Sequence, residues 1–131
     1  MDREGVGDVA VVRVLVVDDV AAYLGAMVAV VDETPGFEVV GKASSGEDAL
    51  IVATQSLPDL VLMDVHLPGI DGVEATRRLM LGARPPTVVL LSTYDDDAGH
   101  QFVAESGATA YLHKAVFGPD RLEQAWSNRG S

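Results

Sequence analysis

Short runs of β-branched and aliphatic residues alternate along the chain with longer, alanine-rich segments. The runs at residues 12–17, 37–41, 60–63, 87–91 and 109–112 read as strands. The segments at 20–33, 46–55, 72–81, 97–106 and 119–126 read as helices. Boundary signals agree. Ser45 precedes Gly46-Glu47-Asp48, an N-cap followed by first-turn acids. Asp71 can cap the third helix, Pro119 suits the first turn of the last, and Gly82 and Gly107 suit helix ends. Asp95-Asp96-Asp97 reads as a solvated helix start. Strands that alternate with helices predict a parallel sheet covered on both faces, and ligands in such sheets bind at the carboxyl ends of the strands.

Each predicted strand but the second ends in a polar residue that the apolar pattern does not require. The first ends at Asp18 and Asp19, the third at Asp64, the fourth at Ser92 and Thr93, the fifth at His113 and Lys114. If the first and third strands are neighbours, three carboxylates meet at one edge. Like charges in one crevice repel, and a hard divalent cation is the common reason for such a cluster. Mg²⁺ favours oxygen ligands and keeps several waters. An aspartate can also act as a nucleophile and form an aspartyl-phosphate, with a hydroxyl and an ammonium on the phosphoryl oxygens. Taken singly, each residue has a plainer reading. Asp18 can cap the first helix, either hydroxyl of Ser92 and Thr93 can satisfy a loop backbone group, and Tyr111 can simply pack. His66, His100 and His113 are too scattered for a zinc site.

Composition narrows the classes. The 131 residues suit one domain, and 48% apolar content supports a folded globule. Net charge is −11, and without a basic cluster neither nucleic acid nor an anionic membrane is an expected partner of this chain. With no cysteine, disulfides and thiolate sites are excluded. Residues 1–10 lack the features of a signal peptide. The uncharged stretch 20–31 is far short of the roughly 20 apolar residues that span a bilayer. A cytoplasmic protein is the expectation, with a flexible tail at 1–10, a domain over 11–127, and an end or linker at 128–131.

The joint pattern resembles the receiver domain of bacterial two-component response regulators. It is carried by Val14-Leu15-Val16-Val17-Asp18-Asp19, Leu62-Met63-Asp64-Val65-His66-Leu67-Pro68-Gly69-Ile70-Asp71-Gly72, Val88-Val89-Leu90-Leu91-Ser92-Thr93 and Gly107-Ala108-Thr109-Ala110-Tyr111-Leu112-His113-Lys114. The pieces stand in the family's order over roughly residues 12–127. The run after Ser92 resembles receivers that precede a LuxR/NarL-like helix-turn-helix output domain. The resemblance implies a flavodoxin-like, doubly wound (βα)5 fold with strand order 2-1-3-4-5. It implies Asp64 as phosphoacceptor. Asp19, Asp64 and the backbone carbonyl of His66 would hold Mg²⁺ or Mn²⁺, with Asp18 acting through water. Lys114 would pair with the phosphoryl oxygens, Ser92 would be the switch hydroxyl and Tyr111 the aromatic switch. The implied partners are a sensor histidine kinase, a C-terminal DNA-binding domain and a second copy of the chain. Transcription regulation is the implied setting, and an enzyme acting on other substrates is not expected.

Three alternatives stand beside this reading. A constitutive interaction module would need no phosphorylation. A phosphatase of the haloacid dehalogenase type needs an Asp two residues after the nucleophile, where this chain has His66. A flavin or nucleotide binder would want a Gly- or hydroxyl-rich first loop, where this chain has Asp18-Asp19-Val20.

Four local features complete the reading. Ala115 follows Lys114 where many receivers have proline, so a trans bond is expected. His66 and Tyr94 are placed to restrict water near Asp64. Gly99 weakens the fourth helix by about 1 kcal/mol relative to Ala, so that helix is expected to be the most mobile. In the uncharged first helix, Tyr23, Met27, Val30 and Val31 supply an inward stripe. That phase puts Leu24 and Val28 on the outer face, as an apolar interface for a partner.

Overall fold

The computed structural model describes residues 10–130. The expected N-terminal tail lies, except for Ala10, outside the described residues. Five strands, β1 (Val12–Val17), β2 (Phe37–Ala43), β3 (Leu60–Asp64), β4 (Thr87–Ser92) and β5 (Ala110–His113), form one parallel sheet in the order β2-β1-β3-β4-β5. Five helices alternate with them: α1 (Ala21–Asp32), α2 (Gly46–Ser56), α3 (Gly72–Met80), α4 (Asp96–Ser106) and α5 (Pro119–Ser127). A single 3₁₀ turn, Lys114–Val116, follows β5.

The middles of the central strands are apolar because both of their faces are covered. Val14, Val16, Leu60, Leu62, Val89 and Leu91 pack with Met27 and Val31 of α1 and Leu122 of α5. Leu15, Val17, Val61, Met63, Val88 and Leu90 turn the other way, toward Ala49 of α2, Val73 and Leu79 of α3 and Phe102 of α4. Full burial of one such aliphatic side chain contributes about 1.5–3 kcal/mol.

Helix starts follow their caps. Ser45 accepts the Asp48 N–H at 3.0 Å, Asp71 the Glu74 N–H at 2.8 Å, and Asp95 the Ala98 N–H at 2.9 Å. Asp95 is therefore the cap of α4, and Asp96 and Asp97 lie in its first turn. Gly107 ends α4 in the left-handed region at φ 86°.

The first helix corrects the expected phase. Its inward residues are Leu24, Met27, Val28 and Val31, at the i, i+3, i+4, i+7 spacing of one helical face. Leu24 and Val28 are half-buried against the core instead of facing outward, whereas Tyr23 is exposed. The outer face is made of Ala21, Ala22, Gly25, Ala26 and Ala29. A helix whose one charged residue, Asp32, stands at its end carries almost no polar contrast, so its sequence does not define its rotation; packing against the sheet does.

Among the described residues, no helix is long and apolar enough to cross a membrane.

Candidate phosphoryl-transfer site at the strand tips

Sheet register brings the chemistry together. Val17 lies beside Met63, so the residues that follow, Asp18 and Asp64, meet at the same edge. Asp64 lies beside Leu91, and Ser92 is the next residue on β4. Ser92 in turn lies beside His113, and Lys114 follows. Carboxylate oxygens of Asp18, Asp19 and Asp64 all fall within 4.8 Å of one another. Asp18 and Asp64 are buried and Asp19 is exposed, so the cluster opens to solvent on one side. It is a hard, all-oxygen donor set of the kind Mg²⁺ and Mn²⁺ take. The scattered histidines join no such cluster among the described residues.

Asp18 divides its two oxygens. Oδ1 accepts the Val20 N–H at 2.9 Å, which ties the site to the start of α1. Oδ2 lies 2.8 Å from the Lys114 ammonium but has no well-directed hydrogen bond, although it is fully buried. The capping role and the site role of Asp18 thus coexist. A buried carboxylate oxygen without a directed donor is a position that a cation suits. The donors present therefore fit a divalent ion.

Lys114 also reaches Asp64 Oδ1 at 3.2 Å. Burial pushes the Asp64 carboxyl up from its ordinary value and the Asp18 charge adds to this, against the pull of Lys114. For Lys114, burial disfavours the charge, but the close Asp18 oxygen and the negative charges of Asp64 and Asp18 outweigh it, and the ammonium is held above its usual range. One lysine thus faces two buried acids and leaves an excess negative charge in the crevice. The Lys114–Ala115 bond is trans.

Ser92 is buried and Thr93 exposed, so Ser92 is the hydroxyl at the crevice. Its Oγ accepts the Tyr94 N–H at 3.0 Å and lies 2.8 Å from the Tyr111 hydroxyl. The Tyr111 hydroxyl also meets the backbone carbonyls of Ser92, at 3.1 Å, and of Tyr94. Tyr111 is therefore turned inward. Room for its ring comes from Gly99, which is buried; a Cβ there would lie 2.0 Å from Tyr111 Cδ2. The glycine that costs α4 intrinsic stability is the residue that admits the tyrosine.

Several supports were not legible in the sequence. Gly72 lets α3 approach the tip of β3, since a Cβ there would fall 2.1 Å from the Asp64 carbonyl oxygen. Glu47 of α2 accepts the Ile70 N–H at 3.1 Å and lies against Gly69, holding the loop after β3. His113 Nδ1 accepts the Ala115 N–H at 3.0 Å, so a neutral His113 carries its proton on Nε2, 3.0 Å from the Thr93 carbonyl. The His66 and Tyr94 rings lie in contact, tilted by 42° with centroids 4.5 Å apart, and Phe102 flanks both. Tyr23 of α1 lies over the Lys114 ammonium.

Comparison with known proteins agrees with this geometry. Residues 14–127 match the response regulator receiver domain. The chain is 37% identical to the response regulator GacA of Pseudomonas aeruginosa over 87% of its own length and 53% of that protein. It is 35% identical to the transcriptional regulatory protein LiaR of Bacillus subtilis over 79% of its length and 49% of that protein. It thus spans about half the length of the curated relatives it matches. The signal receiver domain of the response regulator NarL from Mycobacterium tuberculosis superposes with a TM-score of 0.83 at 27% identity, covering 93% of this chain and 98% of that one. A LuxR-family response regulator from Aurantimonas superposes at 0.80 and 28% identity, covering 90% and 84%. With a parallel sheet in the order 2-1-3-4-5 and an acid cluster at its carboxyl edge, this chain belongs to the response regulator receiver domain family, a family of signalling modules and not of classical enzymes.

Proposed function

We propose that Asp64 accepts a phosphoryl group from the phosphohistidine of a sensor histidine kinase, in the cytoplasm. The observation that carries this reading is the meeting of two buried acids and one lysine, with Asp18 and Asp64 both on Lys114. Of the three acids, Asp18 has its oxygens turned to Val20 and Lys114, and Asp19 is exposed. Asp64 stands between β1 and β4, with the switch hydroxyl on the neighbouring strand. In the transfer, an Asp64 oxygen forms a bond to phosphorus as the bond from phosphorus to the donor nitrogen breaks; the electron pair leaves with the imidazole. Lys114 pairs with the phosphoryl oxygens. Asp19, Asp64 and the His66 carbonyl would hold Mg²⁺ or Mn²⁺, with Asp18 acting through water. Such an ion supplies positive charge that offsets repulsion between carboxylate and phosphoryl oxygens. Dephosphorylation is the chain's own hydrolysis of the Asp64 acyl phosphate, in which water takes the phosphoryl group and the carboxylate is restored. The His66–Tyr94 ring pair restricts the attacking water, and faster phosphate loss in His66→Ala checks this.

Ser92, which holds contacts with Tyr111 and the Tyr94 N–H, exchanges them for the phosphoryl group. The response is a shift between two states of the β4–α4 loop. That shift changes contacts with a C-terminal DNA-binding domain or with a second copy of the chain, in transcription regulation. Intact mass after incubation with acetyl phosphate and Mg²⁺ tests the reading. A gain of one phosphoryl group in the wild type, absent in Asp64→Ala and lost with EDTA, is expected. No gain in either protein would favour a constitutive interaction module.

A further inference from the structure

Lys114 follows the edge strand β5, yet its side chain is only 10% exposed. A lysine carries a flexible four-carbon stem, and two carboxylates on one side do not by themselves fix where the ammonium rests. The other side is closed by Tyr23. The Lys114 Nζ lies 3.9 Å from the centroid of the Tyr23 ring, at the distance and placement of a cation over an aromatic face. Tyr23 stands in the first turn of α1, just beyond the Val20 N–H that Asp18 holds. Its neighbours on the outer face, Ala22 and Ala26, are too small to reach as far. Tyr23 is itself 42% exposed. Its burial therefore contributes little to the core, and hydrophobic packing alone does not account for an aromatic there.

We infer that Tyr23 is a positioning residue for Lys114, pressing the ammonium into the acid crevice with the face of its ring. The role rests on the phosphoacceptor reading, because it matters for transfer only if Lys114 meets a phosphoryl group. The contact uses the ring face, so the phenolic hydroxyl is dispensable. It restrains Lys114 without touching donor or phosphorus, and its effect falls on the rate of phosphorylation.

The test compares the wild type with Tyr23→Phe and Tyr23→Leu. Leucine keeps an apolar side chain at the position but removes the π-face. Thermal unfolding first establishes that both variants fold. Two readouts follow. One is the upfield ring-current shift of the Lys114 ε-methylene protons by NMR, which reports the contact whether or not phosphorylation occurs. The other is the rate of acetyl-phosphate-dependent phosphorylation with Mg²⁺. Tyr23→Phe is expected to keep both the shift and the rate. Tyr23→Leu is expected to lose the shift and slow by roughly three- to tenfold, the factor that a partly desolvated cation–π contact corresponds to. A Tyr23→Leu protein as fast as wild type overturns the inference, because packing then suffices. A Tyr23→Phe protein as slow as Tyr23→Leu also overturns it, because the hydroxyl is then what acts. A wild type that shows the shift but takes no phosphoryl group overturns the phosphoacceptor reading, and with it the role of Tyr23, while the contact itself stands.

Discussion

Helix α3 opens on Asp71, whose carboxylate caps it, and carries Glu74 bonded at 2.9 Å to both Arg77 and Arg78 on its outer face. Helix α1 opens on Val20 with no side chain of its own as cap, no acid in its first turn and no base in its last. What satisfies the start of α1 is Asp18, a residue of the site. Both helices leave strand tips that carry the crevice acids, yet α3 is specified by its own sequence and α1 by the sheet and the crevice. Helix α3 thus holds itself beside the site, whereas α1 depends on Asp18 for its start and lends the crevice Tyr23 in return.

Gly72, the first residue of α3, gives the largest test of this difference. Gly72→Ala drives a methyl into the Asp64 carbonyl oxygen, backbone that cannot move aside, and is expected to destabilise by on the order of 3 kcal/mol in denaturant unfolding. A Gly72→Ala protein as stable as wild type would contradict the close approach.

Relieving the crevice is expected to have a smaller effect of opposite sign. Asp64 is more easily protonated in the folded chain than in the unfolded one. The native state therefore binds more protons between the two pKa values, and stability falls as pH rises through that window. Above it the penalty is complete. Without divalent ions, Asp64→Asn should be more stable than wild type at neutral pH. The gap should close as pH falls below the ordinary carboxylate range. A wild type more stable than Asp64→Asn at neutral pH without metal would mean that the crevice charge is already balanced.

Asp71→Ala should then cost about 1 kcal/mol, as for loss of an N-cap, with faster amide exchange confined to the start of α3. Equal loss of protection in α1 and α3 would remove the contrast between them. Gly25→Ala should have the smallest effect. Nothing lies within 4 Å of a Cβ at Gly25, so α1 is expected to gain about 0.5–1 kcal/mol of stability. A loss of stability there would show that the outer face of α1 is covered in solution.

The same contrast explains what could be read from the sequence. Apolar runs located all five strands, and abrupt polar ends marked the tips of the central β1, β3 and β4, because the middles of central parallel strands are buried on both faces and polar residues are confined to their ends. The tips then gave Asp18, Asp19, Asp64, Ser92 and Lys114, and the register brings them to one edge. The phase of α1 was not legible, because a helix whose one charged residue, Asp32, stands at its end has little contrast to orient it, and Leu24 and Val28 turned out to pack inward. Tyr23 was misplaced with them, and so its position over Lys114 was hidden. Gly99 and Gly72 carried no chemical signal, since a missing side chain shows its purpose only when the neighbour that needs the space is known.

On the phosphoacceptor reading, Asp64, alone among three clustered acids, takes the phosphoryl group. Borohydride reduction of the phosphorylated protein converts an acyl phosphate to an alcohol, and peptide mapping then locates it. The alcohol is expected at position 64, with Asp18 and Asp19 unmodified. An alcohol at position 18 or 19, or a phosphoryl group that resists reduction because it sits on Ser92, His66 or His113, would contradict it.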